Sequence, residues 1–145
     1  MNIIVDAMGG DHAPREIVDG AIQAIKEFNV NITLVGIESK IRLELSRYEY
    51  PKDNIEIVHT DDVVDMHDPA TISIRKKKNS SISLGINLLK ESKKYDAFIS
   101  AGNTGAVVCA STFFLGMLPG VERPAIGLAI PTLKNFAFLI DVGAN

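Results

Sequence analysis

Several residue types are scarce in this 145-residue sequence, and each scarcity excludes a class of protein. There is one cysteine, Cys109, and no tryptophan. A single cysteine excludes an internal disulfide framework and a cysteine-rich zinc site, and it suits a reducing compartment. The longest apolar stretch, residues 106–118, is too short to span a bilayer and is predicted to form a buried helix. Met1 is followed at once by a strand-like segment, which leaves no room for a signal peptide, so we expect a cytoplasmic protein.

The sequence also lacks an excess of positive charge. Its net charge is −3, and the cations are confined to short runs, which argues against a nucleic-acid-binding protein. With 46% apolar and 23% charged residues, residues 1–145 can form one α/β domain with a proper core. The final residues, 136–145, read as a buried strand that runs into a turn and then stops. We therefore expect the sequence to be the amino-terminal part of a longer protein.

Strand-like and helix-like segments alternate along most of the chain. This order predicts a three-layer α/β/α sandwich with a mainly parallel sheet. The last two strands are separated by too few residues for a helical crossover, so they are predicted to pair as an antiparallel hairpin. The predicted strands are 3–5, 31–35, 55–59, 97–99, 125–130 and 136–142, and the predicted helices are 14–28, 38–50 (with Ile41, Leu43 and Leu45 inward), 70–78, 80–89 and 105–117.

Three glycine-rich loops follow predicted strands, at residues 7–11, 101–105 and 142–145. Ligands of parallel α/β sheets bind beyond the carboxyl ends of the strands, so these loops are predicted to converge on one site. In the 101–105 loop, glycines and the free N–H groups of the following helix favour an anion, and we expect a phosphate. The alternative is an ordinary strand-to-helix turn with Ser100 or Thr104 as the N-cap. The loop matches no nucleotide-binding motif.

Two other polar segments have a functional and a structural interpretation. Residues 60–69 contain acids and histidines, but no pair has the spacing that fixes two ligands on one helix face, so no metal site is expected. The run Arg75–Lys78 is either a solvated face or a contact for an anionic partner. Ser80 and Ser81, which follow it, can begin a helix and form a second anion subsite.

Five blocks of sequence, residues 5–14, 75–81, 100–106, 118–125 and 141–145, resemble the phosphate acyltransferase (PlsX) family of bacterial phospholipid synthesis. The resemblance implies transfer of a fatty acyl group from acyl carrier protein to inorganic phosphate without a cofactor. It also implies an isocitrate/isopropylmalate dehydrogenase-like fold, a homodimer and a peripheral contact with the membrane.

The resemblance and the glycine-rich loops together suggest roles for individual residues. Asn103 is predicted to donate to the oxyanion, and Lys78 to offset its negative charge. Cations at Arg75, Lys76 and Lys77 would steer the acidic carrier protein. The residues predicted to bind phosphate or shape its site are Gly9, Gly10, Asp11, Ser80, Ser81, Gly102, Thr104, Gly105, Gly143 and Asn145.

Three alternatives stay open at this stage. An acyl-cysteine intermediate on Cys109 is one, although a thiol within an apolar helix is more typical of a core residue. A nicotinamide-dependent dehydrogenase of the same broad fold is the second, although the dinucleotide glycine pattern is missing. The third is a non-catalytic scaffold that brings the carrier protein to lipid enzymes at the membrane.

Overall fold

The structure, a computed structural model, describes residues 1–141. Strands and helices alternate up to residue 114, as predicted, except that two helices in succession follow the third strand. The strands are β1 (Asn2–Asp6), β2 (Asn31–Gly36), β3 (Ile55–His59), β4 (Ala97–Ile99), β5 (Gly127–Pro131) and β6 (Phe136–Ile140). The helices are α1 (Arg15–Phe28), α2 (Glu38–Leu45), α3 (Ala70–Lys76), α4 (Ser81–Glu91) and α5 (Thr104–Phe114), and a single 3₁₀ turn covers Lys52–Asn54.

The first four strands form one parallel sheet in the order β3-β2-β1-β4. Continuous β-branched and apolar residues suit such strands, because both faces of the sheet are covered by helices. In the register, Ile4 of β1 lies between Thr33 of β2 and Phe98 of β4. Because β1 and β4 are neighbours, the loops that follow them leave the sheet side by side at its carboxyl edge.

The helices pack on both faces of this sheet, which confirms the predicted layered α/β arrangement. On one face, α1 and α2 enclose a core that contains Ile22, Leu34 and Ile41. On the other face, α3, α4 and α5 enclose a second core around Ile74 and Ile86. The helix α4 lies close to the sheet at Gly85, where a Cβ atom would come within 2.8 Å of the Phe98 ring and 3.3 Å of Ile4.

The observed helix boundaries differ from the prediction, by up to two residues in α1, α3 and α4 and by more in α2 and α5. Helix α2 ends at Leu45 instead of residue 50, and Leu43 is 62% exposed instead of inward, so that prediction was wrong. Ile41 and Leu45, four residues apart, supply its buried face, as helical geometry requires. Helix α3 ends at Lys76 instead of residue 78, and α5 runs over Thr104–Phe114 instead of 105–117.

Strands β5 and β6 form the predicted antiparallel hairpin, with Gly127 opposite Ile140 and Pro131 opposite Phe136. The hairpin is a separate two-stranded sheet, and all of its strand residues are exposed.

The relation of this fold to that of isocitrate and isopropylmalate dehydrogenases stays a prediction. None of the helices within residues 1–141 is both long and apolar enough to cross a membrane.

Candidate functional site

A buried carboxylate joins the two glycine-rich loops at the carboxyl edge of the sheet. Asp6, the last residue of β1, is 1% exposed. The Met8 N–H donates to its Oδ1 at 3.0 Å, and the Ser100 hydroxyl donates to its Oδ2 at 2.8 Å. The Gly102 N–H in turn donates to Ser100 Oγ at 3.0 Å. Asp6 therefore fixes the start of the loop after β1 and, through Ser100, the start of the loop after β4.

Two glycines allow these loops to touch. A Cβ atom on Gly9 would lie 2.6 Å from Asp6 Oδ2, 2.7 Å from the Gly102 nitrogen and 2.9 Å from Ser100 Oγ. A Cβ atom on Gly102 would lie 3.1 Å from the Gly9 Cα. These glycines, predicted to open the loops to a ligand, are in contact with each other and with the Asp6–Ser100 hydrogen bond.

Gly10 and Asp11 lie at the rim of a neighbouring cleft. Gly10 has a φ of +103°, a conformation that a side chain would disfavour, and its neighbour across the gap is the carbonyl of Ala101. The cleft has a volume of about 330 Å³ and is closed on the other side by residues 63–67, which include Asp65 and His67. The Asp11 carboxylate takes part in none of the ion pairs within residues 1–141. Two acidic residues, Asp11 and Asp65, thus line this cleft, and their negative charges disfavour a dianion inside it.

Asn103 is the N-cap of α5. Its Oδ1 accepts the Ala106 N–H at 2.9 Å. The structural alternative had predicted Ser100 or Thr104 as the N-cap, and neither residue takes that position. Its Nδ2 donates to three carbonyls of the loop that follows β3, those of Asp65, Met66 and Asp68, at 3.3, 3.1 and 3.0 Å. The side chain predicted to donate to an oxyanion is thus fully engaged, and it ties the 65–68 loop to the start of α5.

The first turn of α5 leaves backbone donors without helical partners. These are the N–H groups of Thr104 and Gly105, which precede the bonded N–H of Ala106. The helix dipole adds positive potential at this end. Gly105 also permits close packing, because a Cβ atom there would lie 3.1 Å from the Ala70 Cβ at the start of α3. Thr104 and Gly105 were both predicted to bind phosphate, and their backbone N–H groups are suited to bind an anion.

The basic run divides into inward and outward residues. Lys77 Nζ donates to the Val63 carbonyl and to Asp68 Oδ2, both at 2.7 Å, so it is not the free docking cation that was predicted. The hydrogen bond from Lys77 lowers the pKa of the Asp68 carboxyl. Lys76 is exposed, and the Arg75 guanidinium lies 5.8 Å from the centre of the Phe113 ring.

Lys78 lies far from the glycine-rich loops. It lines a second cleft together with Phe113 and Phe114 at the carboxyl end of α5. Phe113 follows Thr104 by nine positions in the helix, about 13 Å along the axis. The structure therefore does not bring Lys78 next to Asn103.

The two serines of the predicted second anion subsite are buried in the fold. Ser80 is the N-cap of α4 and accepts the Ser83 N–H at 3.2 Å, while the Ser81 N–H donates to the Asp62 carbonyl at 3.1 Å. Their exposed fractions are 0% and 1%, so both serines serve the start of α4. Gly143 and Asn145 lie outside the described residues.

The link between Asp6 and Ser100 was missed in the sequence analysis. Each residue ends or follows a strand, and only the order of the strands places β1 beside β4. The sequence did contain a signal for this hydrogen bond, namely an acid at the end of one strand and a hydroxyl residue at the end of another.

No group of three or more potential metal ligands occurs within residues 1–141. Cys109 is half-buried in α5 and packs against the second core.

Comparison with known proteins bears on the whole chain. A family model described as fatty acid synthesis protein matches residues 1–145. Relatives from Alkaliphilus oremlandii, Dictyoglomus turgidum and Clostridioides difficile, each named phosphate acyltransferase, are 46%, 48% and 44% identical. Each alignment covers 100% of this chain and 43% of the relative, so the chain spans less than half the length of these proteins. The resemblance found in the five sequence blocks is confirmed, and the chain belongs to the fatty acid synthesis protein family.

Proposed function

We propose that the full-length protein transfers a fatty acyl group from the thioester of acyl carrier protein to inorganic phosphate. The product would be an acyl phosphate for phospholipid synthesis. The observation that carries this proposal is the match of all 145 residues to proteins named phosphate acyltransferase. Neither the family nor the names of these relatives support the dehydrogenase or the scaffold hypothesis.

Phosphate would bind at the start of α5, on the N–H groups of Thr104 and Gly105. These donors lie at the carboxyl edge of the sheet, where such ligands bind, and at the positive end of the helix dipole. The loop from Ser100 to Gly102 is held in place beside them by Asp6. Because Asp11 and Asp65 line the adjoining cleft, we expect a cation from outside residues 1–141 to balance the charge of the bound phosphate.

The reaction requires positioning more than proton transfer. An oxygen of the bound phosphate attacks the thioester carbonyl carbon, the C–S bond of the tetrahedral intermediate breaks, and the carrier leaves as its thiol or thiolate. Phosphate is partly dianionic at neutral pH, so its attacking oxygen needs no strong base. A backbone N–H can stabilise the oxyanion. We assign Asn103 a positioning role, because both ends of its amide hold the start of α5 and the 65–68 loop.

The partners of the whole protein are also proposals. Acyl carrier protein as the donor, a homodimer, a cytoplasmic location and a peripheral contact with the membrane all follow from the sequence analysis. Of the cations proposed to steer the carrier protein, Arg75 and Lys76 are exposed, whereas Lys77 is paired with Asp68. We therefore restrict the proposed steering role to Arg75 and Lys76.

The test uses the full-length protein, a long-chain acyl thioester of carrier protein and a range of phosphate concentrations. Hydroxylamine added afterwards traps acyl phosphate as a hydroxamate. We expect hydroxamate to form in proportion to the thioester lost, and only when phosphate is present. Loss of thioester that does not depend on phosphate, or no loss at all, would contradict the proposed function.

A further inference from the structure

We propose that the cleft at the carboxyl end of α5 binds the phosphate end of a phosphopantetheine arm, the group that carries the acyl thioester. This inference rests on the proposed function. It identifies where the donor lies relative to residues 101–105, hereafter the phosphate loop, which is about one helix length away.

The cleft combines the contacts that such an arm needs. Its volume is about 440 Å³, within the range of small-molecule sites. Arg75 and Lys78 supply two positive charges at its wall, and neither is in an ion pair within residues 1–141. Asn79 and Asn87 add amide groups, and Ile74, Phe113 and Phe114 form an apolar floor.

Each of these contacts matches a part of the arm. The arm has a phosphate at one end, two amide groups along its length and a branched apolar carbon next to the phosphate. A guanidinium binds phosphate oxygens with two parallel N–H groups, and the Arg75 guanidinium lies 5.8 Å from the centre of the Phe113 ring, which also lines the cleft. Side-chain amides pair with the amides of a ligand.

The distance between the cleft and the phosphate loop fits the length of the arm. About thirteen bonds separate the phosphorus from the sulfur, which equals a little over four residues of extended chain, or about 14 Å. The rise of α5 from Thr104 to Phe113 is about 13 Å. A phosphate bound beside Arg75 and Lys78 therefore allows the thioester to reach the start of α5, where we place inorganic phosphate.

The two sites are joined by the seam between α3 and α5. The helices approach each other at Gly105 and Ala70, beside the phosphate loop, and again at Phe113 and Arg75, beside the cleft. They therefore run side by side from one site to the other. An arm bound in the cleft would follow this seam to reach the start of α5.

The experiment begins with binding, so that its result is independent of turnover. Phosphopantetheine is titrated into the full-length protein by calorimetry, and into the double variant Arg75→Ala/Lys78→Ala. We expect the double variant to raise the Kd at least about tenfold, because it removes two charge-assisted contacts. Lys76→Ala is the matched control. It removes an exposed cation from the same basic run, but Lys76 does not line the cleft.

Two outcomes would overturn the inference. One is no binding of phosphopantetheine to the unaltered protein, and the other is an equal loss of affinity in Lys76→Ala, which would indicate general electrostatic attraction. Circular dichroism verifies that the variants are folded.

Kinetics with three donors separates this inference from the proposed function. Acyl carrier protein and acyl-coenzyme A both contain the arm, so the double variant should raise KM for both about tenfold. An acyl thioester of N-acetylcysteamine lacks the arm's phosphate, and its KM should not change. Equal effects on all three donors would contradict the inference, while no phosphate-dependent turnover of any donor would contradict the proposed function alone.

Discussion

Replacing Gly9 with alanine tests the contact between the two loops directly. The new methyl group would lie 2.6 Å from Asp6 Oδ2, 2.7 Å from the Gly102 nitrogen and 2.9 Å from Ser100 Oγ. One of these atoms belongs to the backbone, and the other two share a partly buried hydrogen bond, so none can move away without breaking a contact. Overpacking of this kind costs about 1–3 kcal/mol, and loss of the hydrogen bond adds about 1 kcal/mol.

We therefore expect Gly9→Ala to lower the free energy of unfolding by about 3 kcal/mol. Gly20→Ala is the matched control, because Gly20 lies in α1 with no atom within 4 Å of the added methyl group. The same chemical change should stabilise the protein there by about 0.5–1 kcal/mol, through helix propensity. Urea unfolding of the full-length protein, followed by circular dichroism, measures both. If the free energy of unfolding of Gly9→Ala lies within about 0.5 kcal/mol of that of the unaltered protein, as for an ordinary surface site, then the close contact at Gly9 is wrong.

Three further predictions concern the polar groups around the site. Ser100→Ala should cost about 1–3 kcal/mol in urea unfolding, because a buried oxygen of Asp6 loses its donor; an unchanged midpoint would contradict the role of this pair. Asn103→Asp keeps the cap of α5 but loses the donor to three loop carbonyls, so we expect faster amide hydrogen exchange in the 65–68 loop, and unchanged exchange would count against it. The pKa of the Asp68 carboxyl is held below its ordinary value of 3.8 by Lys77, so the stability from this pair is present above that pH and is lost as the pH falls through the lowered pKa. Lys77→Met should therefore lose less stability than the unaltered protein between about pH 5 and pH 2, and equal losses in the two proteins would contradict this.

The layered α/β arrangement and most strands could be predicted because their signals are local. Runs rich in β-branched residues marked β1, β2 and β3, and the short link between β5 and β6 indicated a hairpin. The inward placement of Leu43 failed for an equally local reason. In a helix that buries Ile41 and Leu45, a residue two positions from each lies on the opposite face.

The details of the site depend on contacts between distant segments, which the sequence does not reveal. Ser100, Asn103 and Thr104 are all residue types that cap helices, and the choice of Asn103 fits the three carbonyls of the 65–68 loop that its amide also contacts. Lys77 resembles its neighbours in the basic run, and only the position of Asp68 and the Val63 carbonyl turns it inward.

The glycine-rich loops illustrate a second limit. A glycine that admits a ligand and a glycine that admits another backbone look the same in a sequence. Gly9 and Gly102 prove to be of the second kind, since each lies against the other loop. The convergence of the 7–11 and 101–105 loops was nevertheless predictable, because both follow parallel strands.

The central claim is that the start of α5 binds the phosphate that attacks the thioester. Titration of the ¹⁵N-labelled full-length protein with inorganic phosphate, observed by amide chemical shifts, tests it most directly. We expect saturable shifts at the N–H groups of Thr104 and Gly105. Saturable shifts confined to other amides, in a protein that still forms acyl phosphate, would contradict it.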